Sequence, residues 1–291
     1  MQKPVAKKQL IINADDAGFS DPINEAVKAC YLGGKITGAS LMACGDRFKE
    51  AASMLREIGK NDVGVHFTLT GKLSPCVEDK SRVATLVNKD GRLAADYKIF
   101  ALRYLLGRID LDQVYLELKT QIKRVLDEGL AVTHFDSHEN VHMFPDVFDV
   151  TKNLAEEFKV PYVRMPVEPS SIMLKGFSIK DFVRRSSLIA FASKNKKRIG
   201  DVSFMSNDIF LGHFHAGRMD YDIFFFMMNR LGEGISELAV HPSILSEDFF
   251  NKFPWYKNAE KEFDFLINED WKGRLDALGV RLVTHREAVA N

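Results

Sequence analysis

The chain has 291 residues, of which 46% are hydrophobic and 27% charged, and its 40 basic and 40 acidic side chains cancel to a net charge of zero. This is globular composition, long enough for one large core, and the lack of a basic excess argues against nucleic acid as a partner, because phosphate binding needs a basic face. The longest apolar run, Ile223–Met228, falls far short of the roughly 20 residues of a spanning helix, so no transmembrane segment is expected.

The stretch before Gln9 carries Lys3, Lys7 and Lys8 without an apolar core of signal-peptide length, and a cytoplasmic protein is expected. Gln9–Asn13 (QLIIN) reads as a buried parallel strand, and Ser20-Asp21-Pro22 opens a helix that Gly33-Gly34 ends. Gly38–Ala43 is a second strand, Asp46–Ile58 a helix and Val63–Leu69 a third strand. Residues 71–95, with Gly71, Pro75 and Gly91, read as a loop insertion over the active face. Leu111–Glu128 is an amphipathic helix closed by Gly129, Ala131–Asp136 a fourth strand, Pro145–Phe158 a helix and Tyr162–Arg164 a short fifth strand. Further on, helices are expected at Lys180–Ala192, Tyr221–Leu231 and around Glu260–Leu278. Strands are expected at Asp208–Gly212, Glu237–His241 and Arg281–Val283. The basic run Lys194–Arg198 reads as a solvated helix end. The three cysteines, Cys30, Cys44 and Cys76, are odd in number and share no CxxC spacing, which suits buried thiols in a reducing compartment rather than a disulfide framework.

Strands alternating with helices point to a single α/β domain over 1–291. Its expected form is a (β/α) barrel, incomplete or distorted relative to the TIM type, with a doubly wound open sheet as the alternative. Either way, the C-terminal strand ends form the active face. His66, His134, His138, His213, His215 and His241, six of the eight histidines, fall at or near such ends, together with Asp15, Asp16, Asp136 and Arg164.

Read alone, Asp15-Asp16 is a helix cap or solvated turn as readily as a metal ligand beside a free base. His66, alone in an apolar strand, reads as a satisfied core histidine as readily as a ligand. The segment Thr133–His142 is denser: three histidines and a carboxylate within ten residues suit a metal or catalytic site. Such a site needs only two histidines and one carboxylate and keeps an open position. The remaining members, among them His134, Asp136 and His142, would support the ligands or contact substrate. Arg164 reads as a surface ion pair or as a fork that holds a catalytic carboxylate, and His241, just before Pro242, as a general acid aimed into the pocket.

The segments NADDAG (Asn13–Gly18), GVHFTLT (Gly64–Thr70), THFDSHENVHMFP (Thr133–Pro145), RMPVE (Arg164–Glu168) and ELAVHP (Glu237–Pro242) together resemble the YdjC family of carbohydrate deacetylases. The resemblance implies a barrel-like fold, a divalent cation (Mg2+ or Zn2+) on Asp16, His66 and His138, and Asp15 as general base. A more distant similarity to the NodB-type polysaccharide deacetylases implies that Arg164 orients Asp15 and that His241 protonates the leaving amine. His134, Asp136, His142 and His215 are then substrate contacts or supports of the ligands. Ala17 stands where Phe is common in the family, and Glu139 where its chitooligosaccharide branch carries another His. Asp208–Met219 looks more like the hopanoid-associated branch, with lipid-linked substrates.

The expected activity is removal of an N-acetyl group from an amino sugar in an oligosaccharide or glycolipid. The alternatives are a metal-dependent hydrolase or isomerase acting on another sugar bond, and a non-catalytic sugar-binding protein. A homo-oligomer is compatible with either, and nothing in the residues selects one glycan.

Overall fold

The structure, a computed structural model, describes residues 8–172, 189–197, 199–200, 202–216 and 219–290. Most of the helix expected at Lys180–Ala192, and Arg198 of the basic run, lie outside the described residues; residues 189–197 are helical.

The described strands are β1 (Lys8–Ala17), β2 (Gly38–Leu41), β3 (Asp62–Phe67), β4 (Ala131–Ser137), β5 (Ile209–Leu211), β6 (Gly234–Val240) and β7 (Val280–Leu282). All their pairings are parallel, in the order β4-β3-β2-β1-β6-β5, with β7 beside the first residues of β1. Parallel neighbours need crossovers, and the helices supply them: α1 (Asp21–Leu32), α2 (Phe48–Glu57), α3 (Tyr97–Leu105), α4 (Leu111–Asp127), α5 (Pro145–Glu157), α6 (Tyr221–Met228), α7 (Glu247–Lys252), α8 (Ala259–Asn268), α9 (Lys272–Ala277) and α10 (His285–Ala290).

The two edge strands do not stay open. Phe135 N–H donates to the Tyr162 carbonyl at 3.0 Å, Arg164 N–H to the Phe135 carbonyl at 2.9 Å, and Phe210 N–H to the Val167 carbonyl at 3.1 Å. Segment 162–167 therefore joins β4 to β5 and closes the sheet into a distorted barrel. The fifth strand expected at Tyr162–Arg164 is reduced to isolated bridges at Tyr162 and Val163. The helix expected across Glu260–Leu278 is broken into α8 and α9.

Side chains on a strand alternate between faces, and on β1 this separates two environments. Leu10, Ile12 and Ala14 join the main core between sheet and helices. Ile11, Asn13 and Asp15 alternate with them and face the barrel interior. Ile11 packs there with Tyr162, Ile235, Val283 and Ala288 in a separate apolar cluster, so α10 and the approach to it plug the bottom of the barrel. Above that plug the interior turns polar. Ile11 is level with Glu237 and Asn13 with Ala239 across β1 and β6, and His66 is level with Asp136 across β3 and β4. The same alternation carries Glu237 on β6 and His134 and Asp136 on β4 inward. The barrel is thus layered: apolar at the bottom, a buried polar layer above it, and the site at the C-terminal strand ends.

Two glycines make this stacking fit. A Cβ on Gly64 would lie 2.2 Å from His134 Nε2, and one on Gly38 2.7 Å from Asn13 Oδ1. Among the described residues no helix is long and apolar enough to cross a membrane.

Candidate metal centre and pocket

The sequence expectation placed Asp15-Asp16 after β1; in the structure the strand runs through both. Neighbours on a regular strand point to opposite faces, so two consecutive carboxylates could not normally share a site. The β1–β2 register shifts between Ala14 and Ala17, and Asp16 takes φ 65°. This bulge turns Asp16 to the same side as Asp15, the re-aiming that bulges provide next to active sites.

Asp16 is met by two imidazoles. His138 Nδ1 lies 2.9 Å and His66 Nε2 3.2 Å from the same oxygen, Asp16 Oδ1. Tyr256 O–H donates to the other oxygen, Oδ2, at 2.6 Å. Burial pushes the Tyr256 phenol well above its usual value, and the Asp16 charge adds to that, so it remains a neutral donor. The other ring nitrogen of His66, Nδ1, donates to Asp136 Oδ1 at 2.9 Å and leaves Nε2 facing Asp16.

The electrostatics follow. Burial alone would lower His66, but the Asp136 charge and hydrogen bond, with Asp16 and Asp15, raise it to about 10. His138 is raised by Asp16 against the same burial, and Asp16 is held well below the carboxylate range by both histidines. Two nitrogens converging on one carboxylate oxygen can be reconciled only by protons or by a cation. One ligand atom from each of Asp16, His66 and His138 falls within 4.8 Å of the others, so the donor set fits a divalent ion. Asp15, His66 and Asp136 form a second such cluster. A guanidinium already pairs with both carboxylates on that side, which makes the first triad the better cation position.

The guanidinium is that of Arg164, 1% exposed. Its Nη1 and Nη2 hold Asp15 at 2.6 and 2.8 Å, Nη2 also reaches Asp136 at 2.8 Å, and Nε reaches Glu237 at 2.7 Å. Burial would raise the Asp15 carboxyl, but the Arg164 charge and hydrogen bonds, with His66 and His241, bring it down to about 2. Asn13 donates to Asp15 Oδ1 at 2.8 Å, and Ser40 O–H donates to Asp136 Oδ2 at 2.6 Å. His241 Nε2 stands 3.8 Å from Asp15 Oδ2 and Nδ1 3.9 Å from Glu262 Oε2, and the His241 N–H donates to the same Glu262 oxygen.

The remaining expected residues divide clearly. His134 lies in the polar layer below the site, bonded to Thr133, Ser40 and Asn13 and stacked on His285 at 3.4 Å between ring centroids. His142 donates from Nε2 to the Arg164 carbonyl at 3.0 Å and accepts from Ser137 O–H, so it fixes the backbone that carries Arg164. Burial brings it down to about 4, which keeps it neutral. His215 is buried with its Nδ1 4.0 Å from Glu168, away from the cavity, whereas His213 lines the cavity.

That cavity, of about 540 Å³, opens over the triad and is lined by Asp15, Asp16, His66, His138, Arg164 and His241. Its wall also includes Gly71, Lys72 and Ala95 from the expected insertion, Glu139 and Asn140 after His138, and the aromatic rings of Tyr97, Phe210 and Trp255. Sequence reasoning missed Tyr256, Asn13, Ser40, Glu237 and Glu262. The ELAVHP segment held a signal for Glu237, a charged residue in an apolar strand, but nothing local marks the others.

The comparisons show the family and the fold. The sequence profile described as YdjC-like protein matches residues 9–277. The chain is similar to a carbohydrate deacetylase of Geobacillus stearothermophilus, 28% identical over 280 residues and covering 95% of this chain and 96% of that one. It is also similar to a carbohydrate deacetylase of Brevibacillus brevis, 27% identical over 282 residues, with 96% and 99% covered. In fold it is similar to the crystal structure of an Enterococcus faecalis V583 protein provisionally described as a cellobiose-phosphate cleavage protein. The TM-score there is 0.76 at 21% identity, covering 96% of this chain and 98% of that one. With a profile match running from β1 to α9 and relatives aligned over almost their whole length, the chain belongs to the YdjC-like family.

Proposed function

We propose that the protein is a metal-dependent deacetylase that hydrolyses the N-acetyl group of an amino sugar in an oligosaccharide or glycolipid. The observation that carries this reading is the convergence of His66 and His138 on Asp16 Oδ1 beside the clamped Asp15. Full-length similarity to proteins named carbohydrate deacetylases supports the choice of substrate class.

Asp16, His66 and His138 would hold the cation, which when bound supplies Lewis acidity towards an acetamide carbonyl and towards water. Two imidazoles and one carboxylate suit zinc or another borderline ion better than magnesium, which prefers oxygen. Asp15 accepts the proton of the attacking water. At about 2 its carboxyl is ionised at any working pH, so it is always in the accepting form, and its weak basicity requires an acidified water as donor. Arg164 and Asn13 fix the direction in which Asp15 accepts. His241, 3.8 Å from Asp15 and partly open to the cavity, gives a proton to the nitrogen as the amide C–N bond breaks, so that acetate and a free amine leave. Trp255 and Tyr97 offer flat faces for the apolar side of a pyranose, and a cavity of about 540 Å³ suits one or two sugar units.

Acetate release tests the proposal. Purified protein, stripped of metal and reloaded with zinc or magnesium, is incubated with N-acetylated chito-oligosaccharides, an N-acetylated glycolipid and an aryl phosphate. Cation-dependent acetate from an amino sugar is the expected result. Turnover of the phosphate alone, or sugar binding without acetate, overturns it.

A further inference from the structure

A second cluster of reactive side chains lies outside the site. Cys44, just after β2, and Cys76, in the 71–95 segment, are 32 positions apart in sequence, yet their sulfurs lie 3.1 Å apart. Both are only 7% exposed. Beneath them Glu117 of α4 is fully buried and unused by the proposed chemistry. Its Oε1 accepts from Cys76 N–H at 2.8 Å, Gln121 Nε2 at 2.9 Å and Cys44 Sγ at 3.4 Å, and its Oε2 accepts from Val77 N–H at 3.0 Å. Arg124 donates to Cys76 Sγ at 3.6 Å.

Two thiols and a carboxylate could be read as a cation site. The hydrogen bonds argue otherwise: the carboxylate is already surrounded by donors, and a guanidinium stands at the sulfur where a cation would have to bind. We propose instead that Cys44 and Cys76 are a dithiol–disulfide couple, closed by a peroxide, whose cross-link fastens together two walls of the metal pocket.

The chemistry balances with hydrogen peroxide as oxidant. The Cys76 sulfur, to which Arg124 donates at 3.6 Å, attacks one peroxide oxygen. The O–O bond breaks, and a sulfenic acid and one water result. Cys44 then attacks the sulfenic sulfur, the S–S bond forms as the S–O bond breaks, and the departing hydroxide leaves as a second water. The Cys44 proton passes to Glu117 Oε1, to which it is already bonded, and from there to the departing oxygen. Two thiols and one peroxide give one disulfide and two waters. The order of attack follows from the surroundings: burial, Cys76 and Glu117 hold the Cys44 thiol well above its usual value, so it waits as the resolving thiol.

The link reaches the site through short, tight connections. Gly45, next to Cys44, packs on the Gly18 carbonyl so closely that a Cβ there would lie 2.1 Å from it, and Gly18 is two residues beyond Asp16. On the other side, Leu73 is tied to Leu93, and Gly71 and Lys72 line the cavity beside His138. Cys30 takes no part: it is fully buried on α1, and burial pushes its thiol up to about 12.

The test is peptide mapping of the full chain after graded hydrogen peroxide, with free thiols counted in denaturant. The expected result is a fall from three thiols to one, a Cys44–Cys76 linked peptide pair 2 Da lighter than the two separate peptides, and full reversal by dithiothreitol. The oxidised protein should also melt at a higher temperature than the reduced protein, a shift that both Cys44→Ser and Cys76→Ser abolish. Three thiols remaining, a link through Cys30, or sulfinic acid at Cys76 without a link each overturns the proposal. So does recovery of two masked thiols by a chelator rather than by a reductant, which would make the cluster a cation site.

Discussion

Arg164 and Asp15 face each other as a two-pronged ion pair, with Nη1 2.6 Å from Oδ2 and Nη2 2.8 Å from Oδ1, both residues buried at the top of the barrel. The same guanidinium holds Asp136 and Glu237, so one cation is shared by three buried carboxylates. Removing one partner of a buried pair leaves uncompensated charge and costs about 3–5 kcal/mol. Arg164→Ala should therefore unfold at markedly lower urea concentration. Arg164→Lys keeps the charge but loses the planar fork; it should fold, bind metal and lose at least about tenfold in kcat through misdirected Asp15. Urea titration and initial rates on the two variants separate charge balance from positioning. A lysine variant with wild-type kcat would remove the positioning role.

Asp15→Asn keeps the size and most hydrogen bonds of the side chain but cannot accept a proton. It should retain the cation, because Asp15 is not in the Asp16–His66–His138 triad, and lose about 10²–10⁴ in kcat. Metal content by elemental analysis and acetate release on the same sample check both halves. Near wild-type release would show that another group takes the proton.

Much of this architecture is legible in the chain, for physical reasons. QLIIN marks β1 because a parallel strand buried on both faces needs a continuous apolar run, and His66, His138, His213 and His241 line the cavity because the C-terminal strand ends are where inward positions open to it. What stays hidden depends on register and distance. The bulge at Asp16 interrupts the alternation from which a strand is read, so the strand appears to end at Asn13 when it runs to Ala17. Tyr256 meets Asp16 across 240 positions, from a short turn with no pattern of its own. Asn13 and Ser40 are ordinary polar residues until the layered interior gives them Asp15 and Asp136 as acceptors. The strand expected at Tyr162–Arg164 is there only as bridges at Tyr162 and Val163, and its joining of β4 to β5 depends on hydrogen-bond partners that the sequence does not mark.

His138 and Tyr256 allow the metal assignment to be graded. His138→Ala removes one of the three proposed ligands and should leave little bound cation after gel filtration. Tyr256→Phe removes only the hydrogen bond to Asp16 Oδ2. Loss of such a supporting partner typically lowers metal affinity about 10–100-fold. Titration with a competing chelator should therefore rank wild type, then Tyr256→Phe, then His138→Ala. Full occupancy in the His138 variant would place the cation elsewhere.

Glu139 and Asn140 both take left-handed backbone, each at φ 55°, directly after His138. Glu139 Oε2 and Asn140 Oδ1 are buried without hydrogen-bond partners, and both residues line the cavity. Left-handed backbone costs a non-glycine residue about 1–2 kcal/mol, so glycine at 139 should relieve strain and leave stability unchanged or up to about 1 kcal/mol higher. If the strain serves to present acceptors to sugar hydroxyls, Glu139→Gly will raise KM at the same time, by about tenfold for a lost hydrogen bond to a charged group. Thermal melting and saturation kinetics decide it: higher KM without lost stability supports recognition, whereas lost stability with unchanged KM makes the turn purely structural.

Glu237 connects the site to acid stability. Burial alone would raise its carboxyl, but Arg164, His285 and Tyr162 bring it from 4.5 down to about 2. The folded form thus releases this proton more readily than the unfolded chain does. Its stabilisation is complete above about pH 4.5 and is lost as the pH falls through about 2. Asp15 behaves in the same sense, from 3.8 down to about 2, so the wild type should lose urea resistance steeply between about pH 4.5 and 2. Glu237→Gln should be less stable at pH 7, because Arg164 and Tyr162 lose a charged acceptor, and its stability should fall less steeply over the acid range. Asp15 still contributes, so the dependence flattens without vanishing. Urea midpoints at pH 7, 4 and 3 measure the two slopes, and parallel slopes would mean that Glu237 is not held ionised by its neighbours.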